Sequence, residues 1–229
     1  MKVFELRTKY RELLELTADS EVDYYGRFAC ECYGLNAAWK ANPVPIDIEL
    51  KRPPKGTIAP VGSSDLCVLR ADLADALAPF LPGMLRGRAT FRNSKPPADH
   101  PGWVTCLPGS GKGVETYRGP YCRHVRCPWE CGSIGGSLVG WARGAIVRRD
   151  IGDQLAFFGR IAQTIYVRDT VIEKARLRER FPDLRPYEFP VVEEPLDGEV
   201  LPGDPGWDGV FRPTDLPVLP DDDDPWVER

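Results

Sequence analysis

The chain has 229 residues, 42% hydrophobic and 28% charged, and a formal net charge of −4, which suits a globular protein and excludes collagen-like, coiled-coil and wholly disordered chains. No apolar run approaches the roughly 20 residues needed to cross a bilayer, and the start, Met1 to Leu14, lacks the continuous apolar stretch of a secretory signal; the expected compartment is the cytoplasm, with no membrane partner. The charge is unevenly placed: from Glu188 onward there are 13 acidic and 2 basic residues, a net of −11, so the first 187 residues carry +7.

In chain order, Phe4 and Leu6 alternate with Glu5 and Arg7 and predict a first strand. Pro45 to Lys51 predicts a second, with Ile46, Ile48 and Leu50 toward the core and Asp47, Glu49 and Lys51 toward water. Leu66 to Leu69 is a short apolar run. Leu73, Ala76, Leu77 and Phe80 then make a helical stripe over Asp72 to Leu81, which Pro82-Gly83 ends. Arg88 to Arg92, Gly102 to Leu107, Ala145 to Arg148 and Thr164 to Val167 read as strands, residues 108–121 as a Gly-rich loop and Gly135-Gly136 as a turn. Asp169 is the expected N-cap of a last helix reaching Phe181, with Val171, Ile172 and Ala175 on its apolar side and Pro182 as its stop.

The expected organisation is a domain over residues 1–189 and a tail over 190–229. The tail combines eight prolines, the run Asp221-Asp222-Asp223-Asp224 and the spaced apolar residues Trp207, Phe211, Leu216, Val218, Leu219 and Trp226. Such a composition favours an extended segment. It serves either as a solubilising extension or as a polyanionic arm for a basic partner surface. Trp207, Phe211, Trp226 and Asp221 to Asp224 are its candidate partner-binding residues, and the aromatic ones serve equally well as packing against the chain's own domain.

Seven cysteines, odd in number and irregular in spacing, argue against a secreted disulfide framework. Two close pairs stand out: Cys30 and Cys32 before Gly34, and Cys127 and Cys131 before Gly132. Zinc takes four soft or imidazole donors in a tetrahedron, and two knuckles far apart in sequence would join distant segments around one ion. The four thiols are the candidate metal ligands. Cys122 or His124 are substitute ligands, and buried thiols without metal are the alternative. Cys67 and Cys106, in apolar strand-like surroundings, read as core residues. Neither pair follows a strand and opens a helix, as a thioredoxin-like redox pair does.

With Trp39 after the first pair, the run Leu66-Cys67-Val68-Leu69-Arg70 leading into a helix, and the late stretch from Phe157 to Ala175, the chain resembles the double-CXXCG motif family. This is a myxobacterial paralogous set classed with swarming-inhibition immunity proteins. The resemblance covers residues 1–190. The first pair is one spacer residue short of the family motif and the second one too long. The resemblance implies an α+β fold, antiparallel strands with two or three helices around a zinc-ribbon-like pair of Cys knuckles. It also implies the binding and neutralising of a cognate protein toxin, while the structural zinc ion rests on the thiol pairs themselves.

Other signals weigh less. Pro108 to Gly113 has phosphate-loop character, but Cys106 stands where a Walker A needs its first Gly and Gly113 where it needs Ser or Thr. His100 reads as a solvated loop side chain. No catalytic triad or paired-carboxylate motif is legible, so no catalytic residue is assigned and the expected role is not enzymatic. The alternative function is a zinc-ribbon-like nucleic-acid binder, using Arg118, Arg123, Arg126, Arg143, Arg148 and Arg149 with Trp129. The acidic tail argues against that, because phosphate binding draws on positive charge.

Overall fold

A computed structural model describes residues 2–193 except 11, 31–34, 63, 94–99, 112, 115, 116, 119–121, 127–133, 139–143 and 160–163. The fold is mixed α+β, mostly strands with a few short helices.

Five strands form the first sheet: β2 (Ile48–Leu50), β3 (Ile58–Pro60), β4 (Cys67–Arg70), β5 (Leu85–Phe91) and β6 (Trp103–Leu107), in the order β2-β5-β6-β4-β3. The pairing is antiparallel except for β2 on β5, which is parallel. Residues 14–17 tie the two edge strands to each other. On one side Leu14 pairs with Val61 just past β3; on the other Leu16 pairs with Leu50 of β2. Leu14 N–H donates to Pro60 O at 3.0 Å, and Thr17 N–H to Glu49 O at 2.9 Å. The sheet is thereby closed into a small barrel.

The period-two alternation of strands sorts side chains between the two faces of the barrel wall. Val68, Ala89 and Leu107 join Leu14, Leu16, Ile48, Leu50, Ala59 and Val61 in one buried cluster. Helices α1 (Ala18–Arg27) and α2 (Ala37–Ala41) lie on the link from Leu16 to β2 and add Tyr24, Phe28 and Trp39 to it. Cys67, Leu69 and Cys106 face the other way, into a second cluster. Helix α3 (Ala71–Leu77) fills that cluster with Leu73, Ala74, Ala76 and Leu77, then tightens into a 3-10 turn at Ala78–Phe80.

The second sheet is antiparallel, in the order β11-β12-β1-β13: β1 (Val3–Thr8), β11 (Ala156–Phe158), β12 (Ile165–Arg168) and β13 (Leu184–Phe189). Leu6, Ala156, Phe158, Ile165 and Val167 share the cluster of α3, whereas Val3, Phe157 and Tyr166 point to a third cluster with Ile146 and Ile151. The layers therefore run barrel core, barrel wall, shared core, second sheet, outer core.

Two further small sheets join strands of the second half. Strand β10 (Gly144–Val147) pairs antiparallel with β7 (Tyr117–Arg118) and parallel with β14 (Val191–Val192), two residues past the expected domain boundary. Strands β8 (Cys122–Arg126) and β9 (Ile134–Leu138) form a hairpin that is a sheet of its own. Gly135 and Gly136, expected as a turn, lie within β9 opposite Val125 and His124. A glycine pair without side chains fits a strand where two backbones approach closely.

The last helix is not continuous. Helix α5 (Asp169–Lys174) and helix α6 (Leu177–Arg180) are separated at Arg176, whose φ of 51° is left-handed. A left-handed residue is the ordinary way to end a helix; here an arginine takes it, with its guanidinium paired to Glu179. The N-cap is Arg168, one residue earlier than expected, and Asp169 Oδ1 accepts from Thr170 N–H at 2.9 Å. A short helix, α4 (Arg148–Ile151), follows β10. Among the described residues six short helices thus stand where two or three were expected. Among the described residues no helix is long and apolar enough to cross a membrane.

Candidate functional site

The first cysteine pair occupies the link between α1 and α2. Helix α1 ends at Phe28, whose N–H donates to Tyr24 O, and Ala29 then pairs antiparallel with Leu35. The five residues Cys30 to Gly34 form the connection of that pair. Its stem is fastened by groups on both sides. Asn36 N–H donates to Phe28 O at 2.7 Å, and Asn36 Nδ2 donates to Arg27 O at 3.0 Å. Asn36 Oδ1 accepts Trp39 N–H at 2.8 Å and so caps α2. From the barrel, Asp65 Oδ2 accepts Leu35 N–H at 3.0 Å, while Asp65 N–H donates to the hydroxyl of the buried Tyr24 at 3.2 Å. Cys30 stands half-buried at the foot of this turn.

The second pair is placed in a parallel way. Strands β8 and β9 pair from Cys122 opposite Leu138 to Arg126 opposite Ile134. Cys127 and Cys131 fall in the seven-residue connection that the hairpin closes. Each candidate thiol pair therefore lies, in sequence, between residues that pair antiparallel.

Cys32, Cys127 and Cys131 lie outside the described residues, as do Trp207, Phe211, Asp221, Asp222, Asp223, Asp224 and Trp226. Among the described residues no group of three or more His, Cys, Asp or Glu side chains is placed to hold a metal ion. Cys122 and His124 lie opposite Leu138 and Gly136 in the hairpin.

Cys67 and Cys106 are core thiols, as their apolar context implied. They face each other across β4 and β6, both fully buried, with Cys67 Sγ 3.8 Å from Cys106 O. Burial pushes the Cys106 thiol up to about 12 and the Cys67 thiol well above its ordinary range, with Cys106 adding to the rise at Cys67. Neutral, buried thiols of this kind are poor nucleophiles and poor ligands.

His100, expected as a solvated loop side chain, is half-buried in its loop. It stacks on Trp103, ring centres 5.5 Å apart, and its Nδ1 accepts Gly102 N–H at 3.0 Å. Gly102 has a φ of +84°, which folds the chain back and brings the two rings together.

In the Pro108–Gly113 loop, Gly109 and Gly111 are there for packing reasons. A Cβ on Gly109 would stand 2.0 Å from Gly83 O, and one on Gly111, whose φ is +69°, 2.2 Å from Lys40 O. Asp65, which the sequence reading passed over, carries no motif that points to it; Asn36 does, as an N-cap residue three positions before Trp39.

No protein-family model matches the chain, and no curated protein matches it.

Proposed function

We propose that this chain is an immunity protein, a non-enzymatic inhibitor that binds a cognate antibacterial toxin and occludes its working surface. What supports the reading is that each thiol pair falls, in sequence, between residues paired antiparallel, Ala29 with Leu35 and Arg126 with Ile134.

Cys30, Cys32, Cys127 and Cys131 are the ligands of one structural zinc ion in this reading. A set of four thiols suits zinc, and a half-buried Cys30 at a fastened turn fits a knuckle. When bound, the ion supplies a crosslink between the α1–α2 link and the β8–β9 hairpin. Asp221 to Asp224, with Trp226 beside them, form the arm that meets a basic toxin surface. Opposite charge on two partners raises the rate of encounter more than it deepens affinity.

The test is co-expression with the toxin encoded by the neighbouring gene. Restored growth and a co-purifying complex are the expected results; continued killing with the chain well expressed overturns the reading. In the purified pair, removal of residues 194–229 slows association most at low salt, and unchanged association rates reject the role of the arm.

A second reading is favoured by one observation: the β8–β9 hairpin is a sheet of its own whose first strand includes Arg123 and Arg126. A nucleic-acid-binding hairpin would give a salt-dependent shift of RNA or DNA. Absence of any shift at low salt removes it.

A further inference from the structure

A cavity of about 630 Å³ opens between the Pro108–Gly113 loop, the Leu81-Pro82 turn and strand β11. Val114, Ala156 and Phe158 line its apolar side, and Asp150 and Gln154 stand on its polar side. Val114 N–H donates to Phe158 O at 2.8 Å, so the apolar side is backbone-braced.

The last described residues lie beside the helix that contributes Asp150 to this cavity. Strand β14 runs alongside β10 with Val192 opposite Val147, and Arg148 then pairs with Glu193 at 3.1 Å. Asp150 is two residues further along the same short helix. The 36 residues that follow Glu193 carry 11 acidic and 2 basic side chains. Arg148 and Arg149 of α4, beside the point where Glu193 stands, are both largely exposed. The Arg148–Glu193 pair thus sets the start of the acidic segment against the helix that bears Asp150 of the cavity.

We propose that this cavity is the docking site of the chain's own C-terminal segment, with the Trp207 indole as the anchor. Trp207 is the fourteenth residue after Glu193, and an extended chain of that length spans about 45 Å, more than the cavity's distance from an exit at its rim demands. An indole matches the lining, because it offers an apolar body and a single donor, and the cavity pairs an apolar wall with the Asp150 carboxylate. Trp226, 33 residues past Glu193, is the poorer anchor, since docking it closes a longer loop at a higher entropic cost. Pro195, Pro202 and Pro205 reduce the freedom that the segment loses on docking. Docking at Trp207 leaves Asp221 to Asp224 and Trp226 for a partner, and it does not depend on toxin binding.

Amide hydrogen exchange of the intact chain tests this. In Trp207→Ala, amides over 108–114 and 154–158 exchange at least about threefold faster than in the parent, while those of β4 and β6 stay unchanged. Ser110→Arg, which obstructs the cavity from its rim, has the same effect. Three results overturn the proposal: equal exchange in Trp207→Ala and the parent, acceleration by Phe211→Ala or Trp226→Ala in place of Trp207→Ala, or protection that rises with protein concentration, which marks the tail of a second copy as the occupant.

Discussion

Asp183 pins the second sheet to the barrel through Thr57. Its Oδ2 accepts from Thr57 N–H at 2.7 Å and from Thr57 Oγ1 at 3.0 Å, and its carbonyl accepts Lys9 N–H at 3.0 Å. Thr57 is buried and opens β3, while Asp183 precedes β13, so one carboxylate joins layers 126 positions apart in sequence. A hydrogen bond to a charged group contributes about 1.5–3 kcal/mol, and a buried donor left unpaired adds a desolvation cost. Asp183→Ala therefore lowers stability by about 2–3 kcal/mol. Urea unfolding reads this as a lower midpoint at constant slope, and an unchanged midpoint rejects the joint.

Inside the barrel, Gly87 and Thr105 depend on each other. Thr105 Oγ1 donates to Ile46 O at 2.6 Å and accepts Gly87 N–H at 3.1 Å, with Thr105 fully buried. A Cβ on Gly87 would stand 2.1 Å from Ile46 O and 2.6 Å from Thr105 Oγ1. Thr105→Val leaves an amide and a carbonyl without partners, at a cost of about 1–3 kcal/mol. For a chain of this size each kcal/mol lowers Tm by about 2–4 °C. Thr105→Ser keeps the hydroxyl and melts closer to the parent. Gly87→Ala unseats Ile46 and falls furthest of the three; a ranking with Gly87→Ala above Thr105→Ser contradicts this account.

These two sites show what the sequence could and could not disclose. Ile46, Ile48 and Leu50 announce their strand because alternation is a local property, and all three are buried. The α3 stripe of Leu73, Ala76 and Leu77 is legible for the same reason, as are β5, β6, β10 and β12. Helix α1 was not legible: its sequence is dominated by polar residues, and only Tyr24 within it is buried. The closure of the barrel by residues 14–17 was hidden too, because Leu14 and Leu16 find partners 47 and 34 positions away, and nothing local marks that choice. The break at Arg176 ran against propensity, since arginine is an ordinary helix residue and only the packing of Leu177 and Phe181 demands the turn. At the candidate site the spacing of the cysteines was plain, but the stem that fastens the first pair draws on Asp65 from the barrel, a contact only the fold supplies.

The paired core thiols make stability fall at high pH. Burial raises Cys106 to about 12 and Cys67 well above its usual value, whereas in the unfolded chain both ionise near the ordinary thiol value of about 8.5. The neutral form is thus favoured by the fold. Its contribution is complete below the unfolded value, and it is lost as pH rises toward the folded one, because the unfolded state then binds fewer protons. Each thiol adds a slope of up to about 1.4 kcal/mol per pH unit across that window. Cys106→Ala flattens the alkaline limb of stability against pH relative to the parent. Parallel limbs for the two proteins would show that Cys106 does not titrate in this way.

The zinc reading makes the two thiol turns respond differently to loss of metal. The stem of the first is fastened by Asp65 and Asn36 whether or not an ion is present. The second is carried by a hairpin that is a sheet of its own, and an isolated two-stranded hairpin is only marginally stable in water. Elemental analysis of the purified chain is expected to find about one zinc per molecule. Cys127→Ser then removes the ion and lowers Tm, because binding of a structural metal contributes to folding free energy. Amide exchange places the damage: protection is lost over Cys122 to Leu138, while the amides of Leu35 and Asn36 keep theirs. A native chain without zinc, or a Cys127→Ser variant with an unshifted melting curve, rejects the metal. Equal loss of protection at both turns instead places the fastening of the first turn in the ion, and removes it from Asp65.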